Sequence, residues 1–205
     1  MDDPTPELFT LGHSNHSSAH FVGLLERHSI ARVADVRSVP FSRRHPQFGR
    51  SKLAASLAAR GIDYVFLGKE LGARVEDASL HRNGCVDYAL LAASALFQSG
   101  LERLVAAARE RRTAILCAER EPLDCHRAIL VARRLVARGI RVQHILADGT
   151  LESHPAVEDR LLELTKSAPL PLLAEIHELR GAALERAYAI RGREIAWSPG
   201  ATAQR

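Results

Sequence analysis

The chain is short of several things, and each shortage excludes something. It has three cysteines in 205 residues (Cys85, Cys117 and Cys125), too few for a disulfide scaffold, so thiols or metal ligands are expected in a reducing compartment. No apolar run approaches the roughly 18 residues that span a bilayer. The opening residues, MDDPTPELF, are acidic and lack the apolar stretch of a secretory signal, which predicts a cytoplasmic protein with no membrane partner. Lysine is nearly absent: of 28 basic residues only Lys52, Lys69 and Lys166 are lysines. With so much alanine present, the arginine excess reads as codon bias before it reads as a nucleic-acid signal. Acidic residues are missing between Val36 and Ile62, where Arg37, Arg43, Arg44, Arg50, Lys52 and Arg60 make a local basic patch.

The composition that remains is that of a folded domain, with 46% hydrophobic and 25% charged residues and a net charge of +4. Apolar runs alternate with helical periodicity. Strands are predicted at 8–11, 31–36, 64–67, 113–117 and 141–146. Helices are predicted at about 18–28, 51–60, 88–111 (broken near Ser99-Gly100) and 125–138. Between the third strand and the long helix lies a loop with Gly68, Gly72 and Gly84. This alternation predicts an α/β fold: a five-stranded, mostly parallel sheet with helices on both faces. The preferred strand order is 3-2-1-4-5, with a flavodoxin-like order as runner-up. Residues 1–150 form this domain. Residues 151–205 read as a helical extension, with helices at 155–165 and 172–190 around Pro169 and Pro171, and a loose tail from Gly192.

The stretch Cys117-Ala118-Glu119-Arg120-Glu121-Pro122-Leu123-Asp124-Cys125-His126-Arg127 joins a buried-looking strand to an amphipathic helix. With Asp124 as cap, Cys125, His126 and Arg127 fall in the helix's first turn, where backbone N–H groups favour a thiolate or another anion. Other polar motifs also close predicted strands: His13-Ser14 after the first, and Asp35-Val36-Arg37 after the second. In a parallel sheet these ends share one edge, where open α/β proteins bind ligands. Taken singly, each has a plainer reading: Asp35 with Arg37 as a structural ion pair, His13 as a turn residue, and Cys117 as core.

These segments carry a resemblance. Thr10-Leu11-Gly12-His13-Ser14, Asp35-Val36-Arg37-Ser38-Val39-Pro40, Gly61-Ile62-Asp63-Tyr64-Val65-Phe66-Leu67-Gly68, Leu71-Gly72, Cys117-Ala118-Glu119 and Cys125-His126-Arg127 resemble the family catalogued as domain of unknown function 488. The likeness covers about residues 8–150. It implies a bacterial-type cytosolic α/β protein with a site built from these motifs, and it supplies no substrate.

Three uses of the cluster compete. The first is an enzyme acting on a phosphate- or nucleotide-type anion. Arg37 and Arg127, with Ser14, Arg43 and Arg44, would bind the anion; Cys125 would be the nucleophile; His126, His13, Asp35 and Glu119 would serve as acid, base or orienting groups. The five-residue Cys-to-Arg loop of phosphatases is absent, since nine residues separate Cys117 from Arg127. The second is a Zn²⁺ or Fe²⁺ site on Cys117, Cys125 and His126, although a seven-residue gap between cysteines is not a zinc-ribbon spacing. The third is a nucleic-acid-binding or adaptor protein using the basic segment with Phe41 and Phe48.

Overall fold

The computed structural model describes residues 6–168 and 177–200. In chain order the first half runs β1 (Glu7–Gly12), α1 (Ser18–Arg27), β2 (Arg32–Asp35), α2 (Arg50–Ala58), β3 (Asp63–Phe66) and a one-turn α3 (Gly68–Leu71). A small hairpin follows, β4 (His81–Arg82) with β5 (Cys85–Val86), then α4 (Tyr88–Ala93) and α5 (Ala95–Glu110). Next come β6 (Thr113–Cys117), a π-helical stretch Arg127–Ala132 continuing into α6 (Arg133–Val136), and β7 (Arg141–Ile145). The chain closes with β8 (Leu151–Ser153), α7 (His154–Leu164) and α8 (His177–Ile195).

The main sheet has the order β3-β2-β6-β1-β7-β8. The first five strands are parallel, as the alternating pattern predicts, and β8 adds an antiparallel sixth at the edge. The order corrects both sequence-based arrangements: β6 lies between β2 and β1 instead of outside β1. The strand most uniformly apolar and buried takes the centre, all five residues of Thr113–Cys117 being buried. The expected neighbourhood of β1 and β6 holds.

Side chains of the central strands alternate between two cores. Phe9, Leu11, Val33, Ala114 and Leu116 face α1 and α2, meeting Phe21, Leu25, Leu53 and Leu57. Leu8, Ala34, Ile115 and Cys117 face the other way, against Leu71, Leu91, Phe97, Leu101, Leu130 and Leu135. Each such buried large side chain contributes about 1.5–3 kcal/mol, and Leu101→Ala would cost about 2–5 kcal/mol.

Local departures have local causes. The long helix breaks at Ser94, whose hydroxyl caps α5 through Phe97 N, and not at Ser99-Gly100. Gly100 sits inside α5 because α3 packs on it: a Cβ there would lie 2.6 Å from that of Glu70. The glycine-rich loop holds α3 and the β4–β5 hairpin, turned at Asn83-Gly84 with both φ values positive.

α7 and α8 pack their Val157, Leu161, Leu162, Ala183, Ala187 and Tyr188 against Leu123 and Ile129. A buried hydrogen-bond chain fastens them to the sheet. Thr10 Oγ1 donates to His144 Nδ1 (2.8 Å), His144 Nε2 to His154 Nδ1 (3.0 Å), His154 Nε2 to the Tyr188 hydroxyl (2.9 Å), and Tyr188 to Glu158 (2.9 Å). One direction of donation satisfies every member with both histidines neutral. The tail read as loose from Gly192 is helical to Ile195, and the Trp197 carbonyl accepts from Val86 N. Pro169, Pro171 and residues 172–176 and 201–205 lie outside the described residues. Among the described residues, no helix is long and apolar enough to cross a membrane.

Candidate functional site

The carboxyl ends of β1, β2 and β6 lie side by side, with β6 in the middle. Backbone bonds carry this pairing past the strands: His13 N donates to Cys117 O, Ser14 N to Ala118 O and Val36 N to Leu116 O. The turn after β6 then folds back over Gly12 and enters the helix that begins at His126.

Cys125, not Asp124, is the residue at that helix start. Its backbone is extended, its carbonyl takes the first helical N–H groups, and its sulfur accepts from Arg127 N at 3.4 Å. Asp124 ends a separate 3₁₀ turn and pairs with Arg191. The π-helical stretch that follows widens the helix directly behind the site.

Four groups converge. The Glu119 carboxylate lies 3.0 Å from Cys117 Sγ and 3.0 Å from Cys125 Sγ. His126 Nδ1 is 3.5 Å from Cys117 Sγ and 4.0 Å from Cys125 Sγ. On its far side His126 Nε2 donates to the Val36 carbonyl at 3.2 Å, which turns Nδ1 toward the two sulfurs. Burial pushes the Cys117 thiol well above the usual thiol range, and its hydrogen bond with Cys125 adds to this. Cys125 goes the other way: burial opposes ionisation, but Cys117, the Arg127 charge and His126 outweigh it and hold the thiol well below that range. Burial and the neighbouring Cys125 raise Glu119.

Three of the four, Cys117, Glu119 and His126, form the floor of a cleft of about 770 Å³, which Cys125 does not line. Cys117, Glu119, His126, His13, Ser14 and Arg37 line it, together with Arg44, Arg74, Arg120, His45 and Phe41, the last 66% exposed. The far wall is Glu194–Ser198 with Tyr88. Among the described residues, Arg44, Arg74 and Arg120 make no ion pair.

The remaining sequence-predicted residues take other places. Arg127 does not line the cleft. It is fully buried and donates Nη1 to the Glu119 carbonyl (2.6 Å) and Nη2 to the Arg120 carbonyl (2.9 Å), so it holds the turn rather than a ligand. Asp35 is wholly buried and accepts from Arg37 N, Nε and Nη2 and from the Tyr64 hydroxyl (2.7 Å). That is the structural ion pair, with no oxygen left for acid–base work; Arg37 Nη1 also donates to the Phe48 carbonyl (2.9 Å), so the guanidinium is bonded within the protein at the cleft's edge. Arg43 is exposed outside the cleft. His13 is buried, stacked on Phe48 at 4.5 Å, and donates Nδ1 to Ser14 O; burial lowers it to about 4, so it is neutral at pH 7. Sequence reasoning missed Arg74, Arg120 and the Glu194–Ser198 wall. Arg74 stands alone in an unremarkable loop, Arg120 sits inside the Cys117–Arg127 stretch but carried no role there, and nothing local marks a wall contributed from 70 residues downstream.

The family model described as Domain of unknown function DUF488 matches residues 17–134, more than half of the chain. The match takes in Asp35, Arg37, Cys117, Glu119 and Cys125–Arg127; His13 and Ser14 precede it. No curated protein and no solved structure matches the chain.

Proposed function

We propose, for a chain that belongs to the DUF488 family, an enzyme acting on an anionic, phosphate- or nucleotide-type substrate in the cleft at the carboxyl edge of the sheet. One observation carries the reading. Arg44, Arg74 and Arg120 come from three separate segments, line one cleft, and are in no ion pair among the described residues. Guanidinium groups gathered this way favour a phosphate or carboxylate. Exposed Phe41 offers an apolar face on which a base can stack. In this reading the substrate's anionic group rests on the arginines. Its reacting end meets Cys117, Glu119 and His126, with neutral His13 as a base.

The test is calorimetric titration of the full chain with pyrophosphate and with nucleoside mono- and diphosphates. Arg44→Ala, Arg74→Ala and Arg120→Ala should each weaken binding by about tenfold or more. Binding that is absent in the wild type, or undiminished in all three variants, would overturn the reading.

A second reading, a nucleic-acid-binding or adaptor protein, draws on one further observation. Arg43, exposed beside Arg44, extends the basic surface beyond the cleft. It predicts steeply salt-dependent binding of single-stranded DNA or RNA that is lost in Arg43→Ala/Arg44→Ala. Nucleotide binding without strand binding would exclude it.

A further inference from the structure

We infer that Cys117, Cys125 and His126 form a binding site for one zinc-class divalent ion whose fourth position opens onto the cleft. The inference shares the cleft floor with the anionic-substrate reading but does not need it.

The donor set comes first. The two Sγ atoms and His126 Nδ1 lie within 4.8 Å of one another. A tetrahedral zinc ion, with Zn–S about 2.3 Å and Zn–N about 2.0–2.1 Å, requires S···N edges of about 3.5 Å. The two edges here are 3.5 and 4.0 Å, so small rotations of the side chains close the set. Two sulfurs and one imidazole suit zinc better than hard cations, which prefer oxygen.

The second observation is the far side of the histidine. A ligating imidazole must present a bare nitrogen, and proteins secure this by giving the other nitrogen's hydrogen to a carbonyl or carboxylate. His126 Nε2 does so with Val36 O, and Nδ1 faces the sulfurs.

The third is rigidity. Cys117 ends the central strand, while Cys125 and His126 open a helix. The turn between them is clamped by Arg127 on the Glu119 and Arg120 carbonyls. Strand end and helix start bring the ligands together, so the seven-residue gap between the cysteines is no obstacle.

Charge is the fourth. Arg127 is buried, and none of the described residues gives it a carboxylate partner. Two thiolates neutralise a divalent ion, and the Glu119 carboxylate, 3.0 Å from both sulfurs, is placed to accept their protons as the ion binds.

Finally, the open side is defined. Cys117, Glu119 and His126 line the cleft while Cys125 lies behind them. A fourth ligand, water or substrate, therefore enters from the cleft, with Glu119 beside it.

The experiment uses the reduced full chain. Metal analysis should give about one zinc per chain. Replacement by Co²⁺ should produce a thiolate-to-cobalt charge-transfer band and the intense visible bands of a tetrahedral ion. In competition with a chromogenic chelator, Cys117→Ser, Cys125→Ser and His126→Ala should each weaken zinc binding by about tenfold or more, and Cys85→Ser should leave it unchanged. Arg74→Ala should also leave zinc binding unchanged, so loss of pyrophosphate binding in that variant reports on the anion reading alone. Absence of the charge-transfer band in the reduced wild-type chain would overturn the inference. So would its persistence in Cys117→Ser/Cys125→Ser, or recovery of the chain as a metal-free Cys117–Cys125 disulfide.

Discussion

A Cβ added to Gly12 would lie 1.7 Å from the backbone oxygen of Glu119. Arg127 Nη1 donates to that same oxygen and would itself lie 3.2 Å from the added Cβ. The turn carrying Glu119 thus rests directly on the Gly12 backbone and is held there by a fully buried guanidinium. Gly12→Ala should displace the turn and cost about 1–3 kcal/mol in urea unfolding. It should also weaken zinc binding. Wild-type stability in this variant would show that the turn yields freely.

Arg127 makes a different prediction from a substrate-binding arginine. Arg127→Lys reaches one carbonyl at most and leaves the other buried and unsatisfied, so a loss of about 2–3 kcal/mol in unfolding free energy is expected. The affinity for pyrophosphate in the fraction that remains folded should be unchanged. A stable variant that had lost anion binding would return Arg127 to the cleft.

Asp35→Asn separates a structural carboxylate from a catalytic one. It leaves the buried Arg37 guanidinium uncompensated and removes an acceptor for Tyr64, which should cost about 3–5 kcal/mol. Chemical denaturation checks this directly. A variant that folds with wild-type stability but is inactive would make Asp35 a working acid or base.

Burial lowers His13 and His154 from 6.5 to about 4, and His144 moves in the same direction. The unfolded chain therefore takes up protons that the folded one refuses. Stability from this source is complete above pH 6.5 and falls as pH drops toward about 4, by about 1.4 kcal/mol per pH unit for each histidine. Urea midpoints measured between pH 7 and 4.5 should fall accordingly, and His154→Gln should shallow the slope. A flat profile between pH 7 and 5 would refute the assignment of neutral buried histidines.

How much of this was readable from the residues follows from what is local. The strand at Thr113–Cys117 and the helix after Cys125 announce themselves by an apolar run and a helical period, so their junction was visible as a site. The metal-ligand triplet was visible too, but ribbon spacing rules argued against it. Those rules describe tight knuckles and not a strand-turn-helix. Arg127 shows the limit: adjacent to Cys125 and His126 in sequence, it is buried against the Glu119–Arg120 carbonyls and does not reach the cleft, and only packing decides that. The strand order and the Thr10–His144–His154–Tyr188 chain depend on partners up to 134 residues apart. No window of sequence contains them.

Glu194–Ser198 follow every other cleft residue in the chain. During synthesis the sheet, the thiols and the arginines can therefore assemble while the cleft is still a one-sided ledge. Its last wall arrives only when the segment carrying Trp197 leaves the ribosome and docks on Val86. The wall is thus the last part of the cleft to be made. A chain cut before Glu194 would leave Cys117, Glu119 and His126 open to any small anion or oxidant in the surroundings.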